Sequence, residues 1–594
     1  MKNTNNRTGR KTNSSKPWAP KPEVQKKQKS PYNYGGDSSA YKIAPNVKVP
    51  ANARKTKNGK TFMQNLEQTW DNTYNYSNLT RTENGAWGYK STGNKLLDLN
   101  FAVASLRGKT DKEIYTKFRE AFNEYPIYAM RWLAYASDIR EGLGERNLFR
   151  VCIVDLAKNG QHELVKKIIP MIPEYSRWDN LWPLLNVKAT STAVLKLVKS
   201  QMTKDNANYL AGKSISLFAK WAPSLNTSSA QTRKYAGIII KYLKMSPKQY
   251  RQWLSKMRKY IDVVERKMSS DNWQAIDYEA VPSRANLIYN KAFLKHDYER
   301  RNAYLSALTN GEAKINSSVA FPHDIVYKYC GGWNYPTKLD PALEAMWNSL
   351  PDMVKGNGST LVVADGSGSM DCPVGGTRVT ARNVADALAI YFAERCSGEF
   401  ENKYITFSSR PQLVDLGNGS LMNKLQIAYK HNEVANTNIE AVFNLILQTA
   451  IENDMTQDDM PQNILIISDM EFDSCAEMGS TPRRNDYGWG YSTGKRVNKT
   501  LFQTMAQRYE AEGYKLPRLV FWNVNSRTGT IPVKQNDMGV ALVSGFSVNI
   551  CKMVMSGKTD PFDCLLEAIN VPRYDVVEQA VVEAMEKQIL SPLA

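Results

Sequence analysis

At 594 residues the chain is long for a single hydrophobic core, so two or three domains are expected. Its 42% hydrophobic and 10% aromatic content is ordinary for a soluble globular protein, and the lack of any apolar run of about eighteen residues, or of an apolar leader, argues against a membrane span or a secretory signal. Seven cysteines without a CxxC pair and only four histidines give no zinc pattern and point to a reducing, cytoplasmic compartment.

Charge is spread unevenly along the chain. Residues 1–60 carry a net +13, residues 61–350 a net +14 and residues 351–594 a net −7, which together make the +20 of the whole. A polyanion partner accounts for a basic front on a mildly acidic back more simply than solubility does. Residues 1–60 are rich in Asn, Lys, Ser and Pro with almost no apolar periodicity. Burial cannot offset their ordering entropy, and a disordered basic tail is expected, serving solubility or loose contact with polyanions.

From 61 to 350 the pattern is helical. The segments "DKEIYTKFREAFNEYPIYAMRWLAYASDIR" and "ERNLFRVCIVDLAKNGQHELVKKIIPMI" place apolar residues at steps of three and four. Ser246-Pro247 reads as an N-cap with proline in the first turn, followed by an apolar stripe of Tyr250, Leu254, Met257, Ile261, Val264 and Met268. Several short helices joined by brief turns suggest stacked helical hairpins, a HEAT-like ring or arc. Lys248, Arg251, Arg258, Lys259 and Arg266 fall largely off the apolar stripe and are the candidate RNA-phosphate contacts.

From 351 to 594 the texture changes. The apolar strands "TLVVAD", "KYITFS", "NILIISDM", "RLVFWNVNS" and "GVALVSG" alternate with "VADALAIYFAERC", "NIEAVFNLILQTAI" and "LFQTMAQRYEAEG". Such near-continuous apolar strands alternating with helices mean a parallel sheet covered on both faces, a doubly wound, Rossmann-like α/β domain.

In a sheet of that kind ligands gather beyond the carboxyl ends of the strands, and the first strand runs into "DGSGS". Asp365, Ser367 and Ser369 alternate along a turn that Gly366 and Gly368 leave free to bend, so their oxygens converge. Hard oxygens without His or Cys suit Mg²⁺, or Mn²⁺. Thr437, just before a helix, and Asp469, closing "NILIISD", are placed to complete the shell.

D-x-S-x-S followed by a loop threonine and a strand-end aspartate resembles the metal-ion-dependent adhesion site of von Willebrand factor A domains. That resemblance implies that Asp365, Ser367 and Ser369 hold the ion directly or through water, with Thr437 and Asp469 behind or beside them. "NTN" stands here where a Gly-Thr context is usual. In addition, "TENGAWGYKSTGNKLLDL", "SDIREGLGERNLFR", "VVERKMSSDNWQAIDYEAVPSRA" and "GVALVSGFSVNICKMVMSG" resemble the domain of unknown function 2828 family across roughly residues 80 to 590. Members of that family look like relatives of the Ro/TROVE proteins, whose helical ring carries structured RNA on its outside and single-stranded RNA ends in its hole.

The stretch after Asp469 mixes charge and aromatics in Arg483, Arg484, Trp489, Tyr491, Lys495 and Arg496, and reads as a partner-contacting flap or a tolerated insertion. Other chemistry falls away. Asn94 stands where a P-loop needs Lys, no HExxH exists, no histidine accompanies Ser544, and His296 reads as packed or capping. The donor set has too few carboxylates for a two-metal phosphoesterase and no evident base. The expectation is therefore a monomeric, non-enzymatic, Ro-like RNA-binding protein with a divalent-ion site open to an acidic protein partner. The alternative is a metal-dependent protein-interaction module with no RNA role.

Overall fold

The computed structural model describes residues 78–316, 320–331, 336–354, 359–407, 410–432, 438–473, 484–485, 488–489, 501–534, 537, 539–554 and 558–590. The chain divides after Trp70, and the first unit, with the expected tail, lies outside the described residues. The second unit, Asp71–Ala594, has a helix-rich first half and a mixed, mostly parallel sheet in its second.

It begins with a hairpin that the sequence pattern did not announce, β1 (Leu79–Arg81) against β2 (Trp87–Tyr89). Helices follow through Pro341–Asn348, and their starts are written in the sequence. Thr110 and Glu113 form a reciprocal capping box on the helix Asp111–Glu124, and Pro126 opens Pro126–Ser137. Ser246 and Gln249 cap Pro247–Ile261 in the same way. Tyr250, Leu254 and Met257 are buried as the stripe predicts, but the helix stops at Asp262, which turns left-handed at φ 56°, and Val264 belongs to a second helix, Val264–Ser269. Consecutive helices pack on one another from Asp111–Glu124 through Lys188–Leu210. A small second core, including Val264, Tyr278, Val281 and Phe293, lies near the far end of this half.

The sheet contains β3 (Thr360–Asp365), β4 (Lys403–Phe407), β5 (Gln412–Asp415), β6 (Asn463–Ser468), β9 (Arg518–Asn523) and β10 (Val540–Ser544), in the order β10-β9-β6-β3-β4-β5. A separate pair, β7 (Arg484–Asn485) and β8 (Gly488–Trp489), lies between β6 and β9 in the chain. All neighbours in the sheet are parallel except the edge strand β5, which returns antiparallel beside β4. At four residues with a half-exposed pattern, β5 carries too little apolar signal to be read in advance.

The two halves share a continuous core. All thirteen residues of the helix Ala381–Ala393 are buried, because it packs on β3, β4 and β6 while Pro322–Cys330 and Leu421–His431 also pack against it. Lys95–Phe101 packs on β10, and the last helix, Asp575–Leu590, packs against Pro126–Ser137 and His162–Ile168. Among the described residues no helix is long and apolar enough to cross a membrane.

Candidate functional site

β3 and β6 are parallel neighbours in register from Thr360↔Asn463 to Ala364↔Ile467, so the residues that follow them leave the same edge of the sheet together. Asp365 closes β3 and Asp469 follows β6. Ser468 Oγ donates to Asp365 Oδ2 at 2.6 Å, and the Ser367 N–H donates to Oδ1 at 2.9 Å. The hydroxyls of Ser367 and Ser369 lie 3.0 Å apart, and Ser369 in turn donates to the Asp469 carboxylate. Gly366 N–H holds the turn to Phe407 O at 3.0 Å. Thus Asp365, Ser367, Ser369 and Asp469 come together as the spacing implied, while Thr437 lies outside the described residues.

Both carboxylates are 1–2% exposed. Burial raises the Asp365 pKa against the pull of its hydrogen bonds and of Arg382. Burial, and then the neighbouring Asp365, push Asp469 up to about 7. Two acids held side by side away from water have Arg382 and the Arg527 guanidinium, 3.6 Å from Asp469, as nearby cations, and their oxygens with the two serine hydroxyls are donors of the kind Mg²⁺ or Mn²⁺ takes. Among the described residues no group of three or more His, Cys, Asp or Glu is arranged around a common point, so such an ion depends on the hydroxyls as much as on the acids.

Three supports of the site escaped the sequence pattern. Arg382, buried on Ala381–Ala393, donates to Asp371 Oδ1 at 2.6 Å, to Gly366 O at 3.2 Å and to Ser367 O at 2.9 Å, which fixes the bend from behind. One turn on, the buried Asp386 is pushed up to about 6, chiefly by desolvation. A folded-state pKa above the unfolded value means that this acid's charging opposes folding, and stability is lost as pH rises through that window. Asp386→Asn is therefore expected to gain roughly 2 kcal/mol over wild type between about pH 4.5 and 7.5. Urea unfolding across that range checks it, and a pH-independent difference contradicts it.

The third support is Glu471, fully buried two residues past Asp469. Met470 between them takes φ 65°, an uncommon left-handed position for a non-glycine residue. The Glu471 carboxylate accepts from Glu83 N at 2.8 Å, Arg527 N at 3.0 Å, Thr528 N at 2.9 Å and Thr528 Oγ1 at 2.9 Å. Asn84 Nδ2 donates to Glu471 O at 2.7 Å and Thr82 Oγ1 to Phe472 O at 2.5 Å. The tip of the β1–β2 hairpin is thereby fastened beside the candidate centre.

On the helix-rich half, Lys248, Arg251, Lys259 and Arg266 are exposed, whereas Arg258 is not available as a phosphate contact. Its guanidinium is half-buried and donates to Ala219 O at 2.8 Å, Ala222 O at 2.9 Å and Ser224 Oγ at 2.9 Å, satisfying carbonyls at and just beyond the end of the short helix Phe218–Trp221. From Asn206 to Ile261 the chain has eleven Lys or Arg and no Asp or Glu. His296 stacks on Trp273 at 4.5 Å with the rings nearly parallel. Of the expected flap, Arg484 and Trp489 pair in register across β7 and β8, and Arg483, Tyr491, Lys495 and Arg496 lie outside the described residues.

Comparison with known proteins divides the chain at the same place as its secondary structure. Residues 188–359 match the family described as Domain of unknown function (DUF2828). Residues 359–592 match a second, Domain of unknown function (DUF7788), so the DUF2828 match begins at 188 and stops where β3 begins, instead of running from about residue 80 to about 590. Over 532 residues the chain is 27% identical to "Uncharacterized protein L728" of Acanthamoeba polyphaga mimivirus, covering 83% of this chain and 88% of the viral protein. The candidate metal centre lies wholly within the DUF7788 match.

Proposed function

We propose that the chain is a divalent-cation-dependent binding protein of von Willebrand A character. Asp365, Ser367, Ser369 and Asp469 would hold Mg²⁺ or Mn²⁺, with Thr437 a further donor, and the ion would supply an electrophilic position that an Asp or Glu of a protein partner fills. The observation that carries this proposal is the convergence of those four residues, from two separated strand ends, into one buried cluster of oxygens. The mostly parallel sheet with a single antiparallel edge strand suits an A-type domain. The test is retention of a carboxylate-rich peptide on immobilised full-length chain. Retention is expected in Mg²⁺, and its loss is expected in EDTA and in Asp469→Ala; retention indifferent to both contradicts the proposal.

A second reading, RNA binding by a Ro-like arc of helices, is favoured by the acid-free stretch from Asn206 to Ile261. Lys248, Arg251 and Lys259 project from it with no acidic partner among the described residues. Reversing all three to Glu is expected to lower affinity for a structured RNA by about tenfold or more at ~0.1 M salt and to flatten its salt dependence by roughly two to three in log–log slope. Filter binding with and without EDTA checks this. An unchanged affinity removes the helical surface from consideration.

A further inference from the structure

We propose that Arg527 is a built-in counter-cation of the Asp365–Asp469 centre, one that a divalent ion must displace and that ties the N-terminal hairpin to the occupancy of the site. This inference rests on the metal reading above and concerns what opposes the ion.

Arg527 stands just past the end of β9, and its position is set by its backbone, whose N–H donates to Glu471 Oε1 at 3.0 Å. From there the guanidinium reaches three separate pieces of chain. One nitrogen, Nη2, lies 2.6 Å from Glu83 Oε2 on the hairpin and 3.6 Å from Asp469 Oδ2. The other, Nη1, lies 3.8 Å from Cys372 Sγ, in the loop that follows Ser369. Its side chain is 37% exposed while that of Asp469 is 1% exposed. The guanidinium therefore sits at the rim, between a sealed carboxylate and solvent. Gly368 and Ser369 are the other partly open residues of the bend.

The charge arrangement gives the consequence. A guanidinium beside Asp469 partly meets the demand of the two buried acids, and a doubly charged ion delivered to the same oxygens repels it. Arg527 keeps a second anchor in Glu83, which is half-exposed and has a single close cationic neighbour in Arg527 among the described residues. The hairpin remains held by Glu471 through the Glu83 N–H and by Phe472 through the Thr82 hydroxyl. Ion binding and the Glu83–Arg527–Asp469 bridge are thus coupled, and by reciprocity whatever loosens the bridge changes affinity for the ion.

The experiment is calorimetric titration of Mg²⁺ alone into EDTA-stripped full-length chain, with melting curves in EDTA confirming that each variant is folded. Arg527→Gln is expected to bind Mg²⁺ about tenfold more tightly than wild type, because a positive charge at the mouth is gone. Glu83→Gln is expected to bind a few-fold more weakly, because Arg527 is left to Asp469 alone and one negative charge is lost. Lys515→Gln, exposed and remote from the centre, should leave the affinity unchanged. If wild type binds Mg²⁺ and Arg527→Gln matches it within twofold or binds more weakly, the counter-cation role is overturned while the metal centre stands. If neither wild type nor Arg527→Gln binds, both fall together.

Discussion

Arg131→Ala is expected to destabilise the protein by about 3 kcal/mol. Arg131 lies in Pro126–Ser137 on the helix-rich half and is 3% exposed, yet all its polar contacts reach the C-terminal segment. It donates to Ile569 O at 2.9 Å, to Val571 O at 3.0 Å and to Asp575 Oδ1 at 2.9 Å, and it also pairs with Glu578. Because Asp575 and Glu578 are 64% and 43% exposed, solvent screens those ion pairs and their share is small. Most of the loss comes from the Ile569 carbonyl left without its donor, from the Val571 carbonyl reduced to the Tyr574 N–H, and from the cavity where the guanidinium stem lay. Arg131→Lys keeps the stem and one donor and is expected to recover part of the stability. Denaturant midpoints for the three proteins check this, and a change below about 1 kcal/mol for Arg131→Ala would falsify the view that this contact joins the two halves.

Asp365→Asn is expected to act with opposite signs on stability and on metal binding. In EDTA at about pH 8 it removes one of two adjacent buried negative charges, so the variant is expected to be more stable than wild type by roughly 1–2 kcal/mol. Its amide keeps the shape, and Ser468 can turn its hydroxyl to accept. In Mg²⁺ the order reverses, since the neutral amide no longer draws the ion and affinity is expected to fall about 100-fold or more. Melting temperatures of both proteins in EDTA and in Mg²⁺ should therefore cross. A variant less stable than wild type in both conditions indicates that Asp365 is only a structural acceptor.

How much of this was legible depended on whether the physics was local. Asp365, Ser367 and Ser369 announce themselves because an apolar strand runs directly into oxygens, and Asp469 repeats the device at the end of β6. Parallel neighbouring strands end on one edge, so two such endings converge without further information. Arg527, Glu471 and Glu83 carry no comparable signal. They meet only because a hairpin at residues 79–89 folds against the ends of β6 and β9, which lie hundreds of residues further along the chain. Arg258 shows a different failure. Helical periodicity places it at the polar margin, but a long guanidinium stem reaches round that margin to the unsatisfied carbonyls beyond Phe218–Trp221. The break at Asp262 was hidden because the apolar stripe continues through it in sequence while the backbone turns left-handed.

Calorimetric titration of Mg²⁺ into EDTA-stripped wild type, Asp365→Asn and Asp469→Asn at about pH 7.5 reaches the metal centre most directly. One ion per chain is expected in wild type, with saturable heat lost in both variants. No saturable heat in wild type up to about 20 mM, or equal binding in all three proteins, contradicts a cation site at the carboxyl edge of the sheet.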